Sequence, residues 1–139
     1  MKYTIKKSEY KTIEQNIKDE MRQAAKEAIG YDEWDGESIC YVAYNADEFV
    51  GTIVFDILYG QMCIYYVVVA KGYRNQGIGS ELLFKAFEVA IERGCDFAYL
   101  ETLNFQAPKF YEKHGFLLEF SRSGYRHDIV FNYYKKTFK

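Results

Sequence analysis

The spacing of apolar positions changes period along the chain and marks out its elements. Residues 3–7 read as a short strand. Thr12-x-x-Gln15 is a capping-box signal, and after it Ile13, Ile17, Met21, Ala24 and Ala28 recur at helical spacing, with Gly30 as the stop. Residues 31–37 read as an acidic loop or short turn. Ser38–Tyr44 and Phe49–Leu58 are β-rich runs separated by Asn45-Ala-Asp-Glu, which reads as a hairpin turn. Tyr59-Gly60 makes a second tight connection into Gln61–Ala70, a central strand whose apolar run predicts burial on both faces. From Ile78 to Arg93 the period returns to 3.6, with Ile78, Leu82, Leu83, Ala86, Val89 and Ala90 on one side and Gly94 at the end. Phe97–Glu101 is the next strand. Pro108 suits the first turn of a short helix ended by Gly115, and residues 116–120 and 128–136 close the sheet as an antiparallel pair. Hairpins followed by a strand–helix–strand unit predict one domain over residues 1–139, with a mixed sheet and helices on both faces.

The junction between the central strand and its helix carries the most chemical information. Val67, Val68 and Val69 lead into Ala-Lys-Gly-Tyr, then Arg74, Asn75, Gln76, Gly77, Ile78, Gly79 and Ser80. Backbone N–H groups at a helix start lack intrahelical partners, and the helix dipole adds partial positive charge there. Two glycines permit close approach and unusual torsions, and Arg74 adds a guanidinium. Together these form a cradle for a diphosphate. A dinucleotide fingerprint would need a third glycine where Leu82 stands, and a P-loop would need Lys and Ser/Thr after Gly77, where Ile78 and Gly79 stand.

The remaining pattern, Arg74-x-x-Gly77-x-Gly79, resembles the acyl-CoA loop of the GCN5-related N-acetyltransferase (GNAT) family. Asn104-x-x-Ala107-x-x-x-Tyr111-x-x-x-Gly115-Phe116 is similar to that family's later motif at every position and follows one helix and one strand after the loop. The resemblance covers about residues 38–136; the first 35 residues match only in general layout. It implies an α/β (α+β) fold with a mixed, mostly antiparallel sheet of 6–7 strands and about four helices. It implies a bulged central strand that splays from its neighbour, with acetyl-CoA as co-substrate in the opening. The cofactor arm would then lie along Val67–Val69 and meet Asn104, and the loop from Arg74 to Ser80 would hold the diphosphate. Tyr111 would stand beside the thioester sulfur and protonate the leaving thiolate.

The general base is where the pattern departs. Some members carry a carboxylate eleven residues before the loop arginine; here that position is Cys63. Glu101 is the first choice as base, with Asp56, Tyr65, Tyr66 or a water chain as alternatives. Glu33, Trp34 and Tyr65 are the residues expected to line the acceptor site. The implied activity is acetyl transfer to a primary amine, either a small cation or a lysine or N-terminal amine. Two other readings stand beside it: a catalytically silent acyl-CoA sensor or partner subunit, and an interaction domain without cofactor.

Composition narrows the partners. Net charge is −2, which favours neither nucleic acid nor an anionic membrane, and no apolar run reaches a membrane span. Three scattered cysteines lack zinc spacing, so no metal is expected, and a reduced, cytoplasmic setting follows. Aromatics reach 19%, and an aromatic C-terminal run (Phe131, Tyr133, Tyr134, Phe138) would suit either the core or a homodimer interface.

Overall fold

The computed structural model describes residues 1–32 and 38–139. The chain forms two compact units, Met1–Gly36 and Glu37–Lys139. The first is essentially helix α1 (Tyr10–Ile29), which ends on Gly30 in the left-handed region at φ 83°. That torsion favours glycine, and the Gly30 N–H returns to the Lys26 carbonyl at 3.0 Å. Two expectations for this unit fail. Residues 3–7 are not a strand, because their β propensity finds no ladder partner. Thr12 is not an N-cap: the helix starts two residues earlier after Glu9, and the Thr12 hydroxyl donates back to the Glu9 carbonyl at 2.7 Å. Within this unit Arg22 pairs with Asp32 at 3.3 Å.

The second unit is a six-stranded sheet. Its strands are β1 (Ile39–Asn45), β2 (Glu48–Leu58), β3 (Gln61–Val69), β4 (Phe97–Leu103), β5 (Leu117–Arg122) and β6 (Phe131–Thr137), in the order β1-β2-β3-β4-β6-β5. Only β3 and β4 pair in parallel, because helix α2 (Ile78–Glu92) carries the chain across between them. Ala46, Tyr59 and Gly60 take positive φ and close the two hairpins. β6 inserts between β4 and β5, so the closing antiparallel pair does not extend the sheet in chain order.

Period-2 and period-3.6 patterns meet in one core. Ile53 and Phe55 of β2, Met62 and Ile64 of β3, and Ala98 and Leu100 of β4 are buried with Leu82, Leu83, Ala86, Phe87 and Ala90 of α2. The short helix α3 (Pro108–Lys113) adds Tyr111, and Phe116 follows it into the same cluster. Burying each large side chain is worth about 1.5–3 kcal/mol. There are three α-helices and two short 3₁₀ turns among the described residues, rather than about four helices. β3 also departs from expectation: Met62 and Ile64 are buried, but Tyr65, Tyr66 and Val68 are exposed.

Candidate active site

The exposure of the second half of β3 has a definite cause. β2 pairs with β3 through Phe55↔Ile64 and then Val54↔Tyr66, which leaves Tyr65 as an extra residue with no partner across the ladder. A bulge of this kind bends a strand and strengthens its twist. At the same level the parallel ladder stops: β3 and β4 are paired from Gln61↔Phe97 to Ile64↔Leu100 and no further. Beyond it β3 stays with β2 (Val67↔Ile53, Val68↔Thr52) while β4 goes with β6 (Glu101↔Tyr133, Thr102↔Asn132). The strands part, and a cleft of about 860 Å³ opens between them.

The strand-to-helix loop forms the mouth of this cleft. The guanidinium Nε of Arg74 donates to the Val69 carbonyl at 3.1 Å, which ties the side chain to the strand end. Asn75 and Gly77 both take left-handed torsions, at φ 63° and 85°. Gly77 is the N-cap of α2 and offers no side chain to cap it. The first intrahelical bond runs from the Glu81 N–H to the Gly77 carbonyl, so the amides of Ile78, Gly79 and Ser80 have no partner within the helix. A Cβ on Gly77 would meet nothing within 4 Å, so the space beside these amides is open. At Gly79 the neighbour is protein: a Cβ there would come to 3.3 Å from the Phe110 ring. This glycine therefore also lets α3 pack close to α2. Open space, free amides and a nearby cation fit a diphosphate.

The expected site residues divide. Tyr65, Val67, Val68, Val69, Arg74, Asn75, Gly77, Ile78, Gly79, Ser80, Glu101 and Tyr111 all line the one cleft. Gln76 instead lines a second, smaller cavity between β1 and α2. Asn104 is turned away: its amide donates to the Asp128 carbonyl at 3.1 Å, and its oxygen accepts the Val130 N–H at 3.1 Å. It braces a loop strained by positive φ at His127 and Asp128. Glu33 and Trp34 lie outside the described residues. Phe105, Gln106 and Phe110 also line the cleft; all three fall inside the 104–116 motif at its unspecified positions, which carried no signal.

Tyr65, Glu101 and Tyr111 line the opening, while Asp56, Cys63 and Tyr133 stand outside it. Burial pushes the Tyr111 phenol up to about 12, so it stays protonated at neutral pH. On the opposite sheet face, Asp56 lies directly across from Cys63 in the ladder. Tyr65, on the bulge, donates to Asp56 Oδ2 at 2.9 Å, and Asp56 Oδ1 is buried without a hydrogen-bond partner. Burial raises the Cys63 thiol, partly offset by hydrogen bonds with Tyr99 and Tyr65; a thiol so placed is a poor base. Tyr133, across from Glu101, is raised by desolvation and then by that carboxylate.

A splayed mixed sheet with an anion cradle at the mouth of its cleft defines an acyl-CoA-type fold. The chain belongs to the acetyltransferase (GNAT) family, whose sequence pattern matches residues 7–116. It is 34% identical over 87 residues to acetyltransferase Atu2258 of Agrobacterium fabrum, covering 62% of this chain and 64% of that one. It is 35% identical over 86 residues to N-alpha-acetyltransferase 30 of Xenopus laevis, covering 57% and 32%. The chain thus spans less than two thirds of these curated relatives. A structure from Agrobacterium tumefaciens, assigned as an acetyltransferase, superposes with a TM-score of 0.84 at 25% identity, over 99% of this chain and 100% of the other. A Bacillus anthracis structure assigned as a streptothricin acetyltransferase, solved with acetyl coenzyme A, gives 0.67 at 30% identity over 76% and 65%.

Proposed function

We propose that this chain moves an acetyl group from acetyl-CoA directly to a primary amine. The observation that carries this reading is the parting of β3 from β4 at Ile64 and Leu100, with the unpartnered amides of α2 at the mouth of the gap. The Ile78, Gly79 and Ser80 amides, with Arg74, hold the diphosphate. The backbone of Val67–Val69, which has no ladder with β4, receives the amides of the pantetheine arm. Acetyl-CoA supplies the activated thioester.

The chain's own groups supply the rest. Alignment of donor and acceptor in one cleft lowers the barrier by several kcal/mol, about 7–11 at best. Tyr111 donates a hydrogen bond to the leaving sulfur. Its phenol, at about 12, is a weaker acid than a thiol near ~8.5. It therefore stabilises the thiolate by hydrogen bonding and does not surrender its proton outright. Glu101, exposed in the cleft, accepts the amine proton through water. Asp56 is the alternative: the carboxylate absent at Cys63 stands one strand away and reaches the cleft through Tyr65.

The acceptor class is a cationic amine. Glu101 and the phenol rings of Tyr65 and Tyr66 at the opening favour a positive group. A structural neighbour named for streptothricin and a relative named for N-alpha acetylation put both acceptor types in the screen. The free cysteines suit a reducing, cytoplasmic setting, and pairing into a homodimer is included in the proposal. No helix among the described residues is long and apolar enough to cross a membrane.

The test is release of free CoA thiol from acetyl-CoA with a panel of polyamines, aminoglycosides, streptothricin and peptides with free N-termini. Amine-dependent release supports the enzyme. CoA binding without release by any amine points to the silent sensor, the reading that the protonated thiol at position 63 favours.

A further inference from the structure

We propose that His114 is a positioning residue for the cofactor diphosphate: it orients the Ser80 hydroxyl at the start of α2 and takes up a proton when that anion binds. This rests on the acetyl-CoA reading above and goes beyond it, since neither the loop motif nor the 104–116 motif specifies position 114.

The geometry is direct. Ser80 Oγ and His114 Nε2 are 2.9 Å apart in a part-buried contact. Ser80 lines the cleft and stands in the first turn of α2, among the amides that lack helical partners. His114 caps the C-terminus of α3. Its ring is held edge-on against Phe110 at 4.8 Å and Phe84 at 5.3 Å, so it has little freedom to swing away. This polar side-chain bond between α2 and the end of α3 therefore lies at the diphosphate cradle.

The proton decides what Ser80 can do. A neutral imidazole with its hydrogen on Nδ1 accepts the Ser80 O–H at Nε2, and the hydroxyl proton then points away from the cleft. Protonation at Nε2 reverses the bond: the ring N–H must donate to Oγ, and the Ser80 O–H is released to donate to an anionic oxygen. One proton enters from solvent and forms the Nε2–H bond, and no other covalent bond forms or breaks. The groups that bear on the ring are Lys113 on its own helix and Lys136 on β6; from α2 it meets Ser80 and the Phe84 ring. Glu112 is engaged elsewhere, accepting the Tyr134 hydroxyl at 2.8 Å. Burial, then the two lysines, lowers the imidazole below its ordinary value, so the free protein holds it neutral at pH 7. An anion within one hydroxyl of the ring opposes all three influences and favours the imidazolium.

The sign of the linkage follows. Binding raises the imidazole's pKa, so affinity is greatest below the free value and declines as pH rises through the bound value. Dephospho-CoA is the probe, because it keeps the diphosphate but lacks the 3′-phosphate, which itself titrates near ~6. Calorimetric titrations at pH about 8, about 6.5 and about 5.5, each in two buffers of different ionisation enthalpy, read affinity and proton uptake together. Wild type should bind up to about tenfold more tightly at the lowest pH, the effect of a one-unit shift, and should take up a fraction of a proton, about half at most, at pH between the free and bound values and none at pH about 8. His114→Gln should still bind, with no proton uptake and an affinity independent of pH. Ser80→Ala, which keeps the imidazole but cuts its link to the anion, should lose most of the pH response. Binding by wild type without uptake at any pH, or an unchanged pH response in His114→Gln, would overturn the proposal while leaving the cofactor reading intact. No binding by wild type at any pH would overturn both.

Discussion

The strands β3 and β4 run together for four residue pairs and then part, and the two halves contrast sharply. In the paired half Met62, Ile64, Ala98 and Leu100 are buried to 4% exposure or less. In the parted half Tyr65 is 49% and Val68 43% exposed, and Glu101 faces the cleft. The amino acids are not very different in kind; Val68 is as apolar as Ile64. What differs is whether the neighbouring strand completes the ladder. One half provides stability through close packing. The other half gives up packing and leaves backbone groups free for a ligand.

The largest expected effect lies in the paired half. Leu100→Ala removes a side chain that is 1% exposed and should cost about 2–5 kcal/mol in denaturant unfolding. Val68→Ala, in the parted half, should cost under about 0.5 kcal/mol. Equal losses would mean that the parted half is core, and the contrast would fail.

Gly77→Asp tests the mouth of the cleft without disturbing the packing. Its side chain would enter open space, but the left-handed torsion at φ 85° costs a non-glycine residue about 1–2 kcal/mol, so a modest loss of stability is expected with the fold intact. The same charge opposes a diphosphate, so CoA affinity should fall about 100-fold by calorimetry. A variant that stays folded and binds CoA as tightly as wild type would remove this loop from the site.

Tyr111→Phe is expected to act on chemistry more than on binding. Turnover should drop about tenfold, the value of one hydrogen bond to a charged atom, with CoA affinity changed less than about twofold. The same variant has a pH signature. The phenol titrates near 10 when exposed and about 12 in the fold. Its contribution is thus complete below pH ~10 and is lost as pH rises toward ~12. The wild type should lose more stability across that window than Tyr111→Phe, as read by chemical denaturation at stepped alkaline pH.

Legibility in the sequence followed the same division. The loop Arg74–Ser80 and the residues Tyr111, Gly115 and Phe116 were readable because glycine torsions, helix starts and fixed spacings leave marks in residue type. The start of α2 at Ile78 and the hairpin at Ala46–Asp47 fell where turn chemistry puts them. The bulge at Tyr65 left no such mark: a run of tyrosines and valines says strand and does not say where a partner is lost. Asn104 belongs to the expected motif, yet its amide is claimed by the 128–130 backbone, a tertiary contact invisible in a linear pattern. The Ser80–His114 link joins positions 34 residues apart, and neither motif pairs them. Asp56 could be listed as a carboxylate but not seen to face Cys63 until the register of β2 and β3 was fixed.

The most direct measurement is a backbone amide NMR titration of the 139-residue chain with coenzyme A. Saturable shifts should concentrate at Gly77–Ser80 and along Val67–Val69, where helix-start and bulged-strand amides await a partner. Shifts that are absent, or that cluster in the paired segment Gln61–Ile64 or on β1, would contradict the assignment of this cleft to the cofactor.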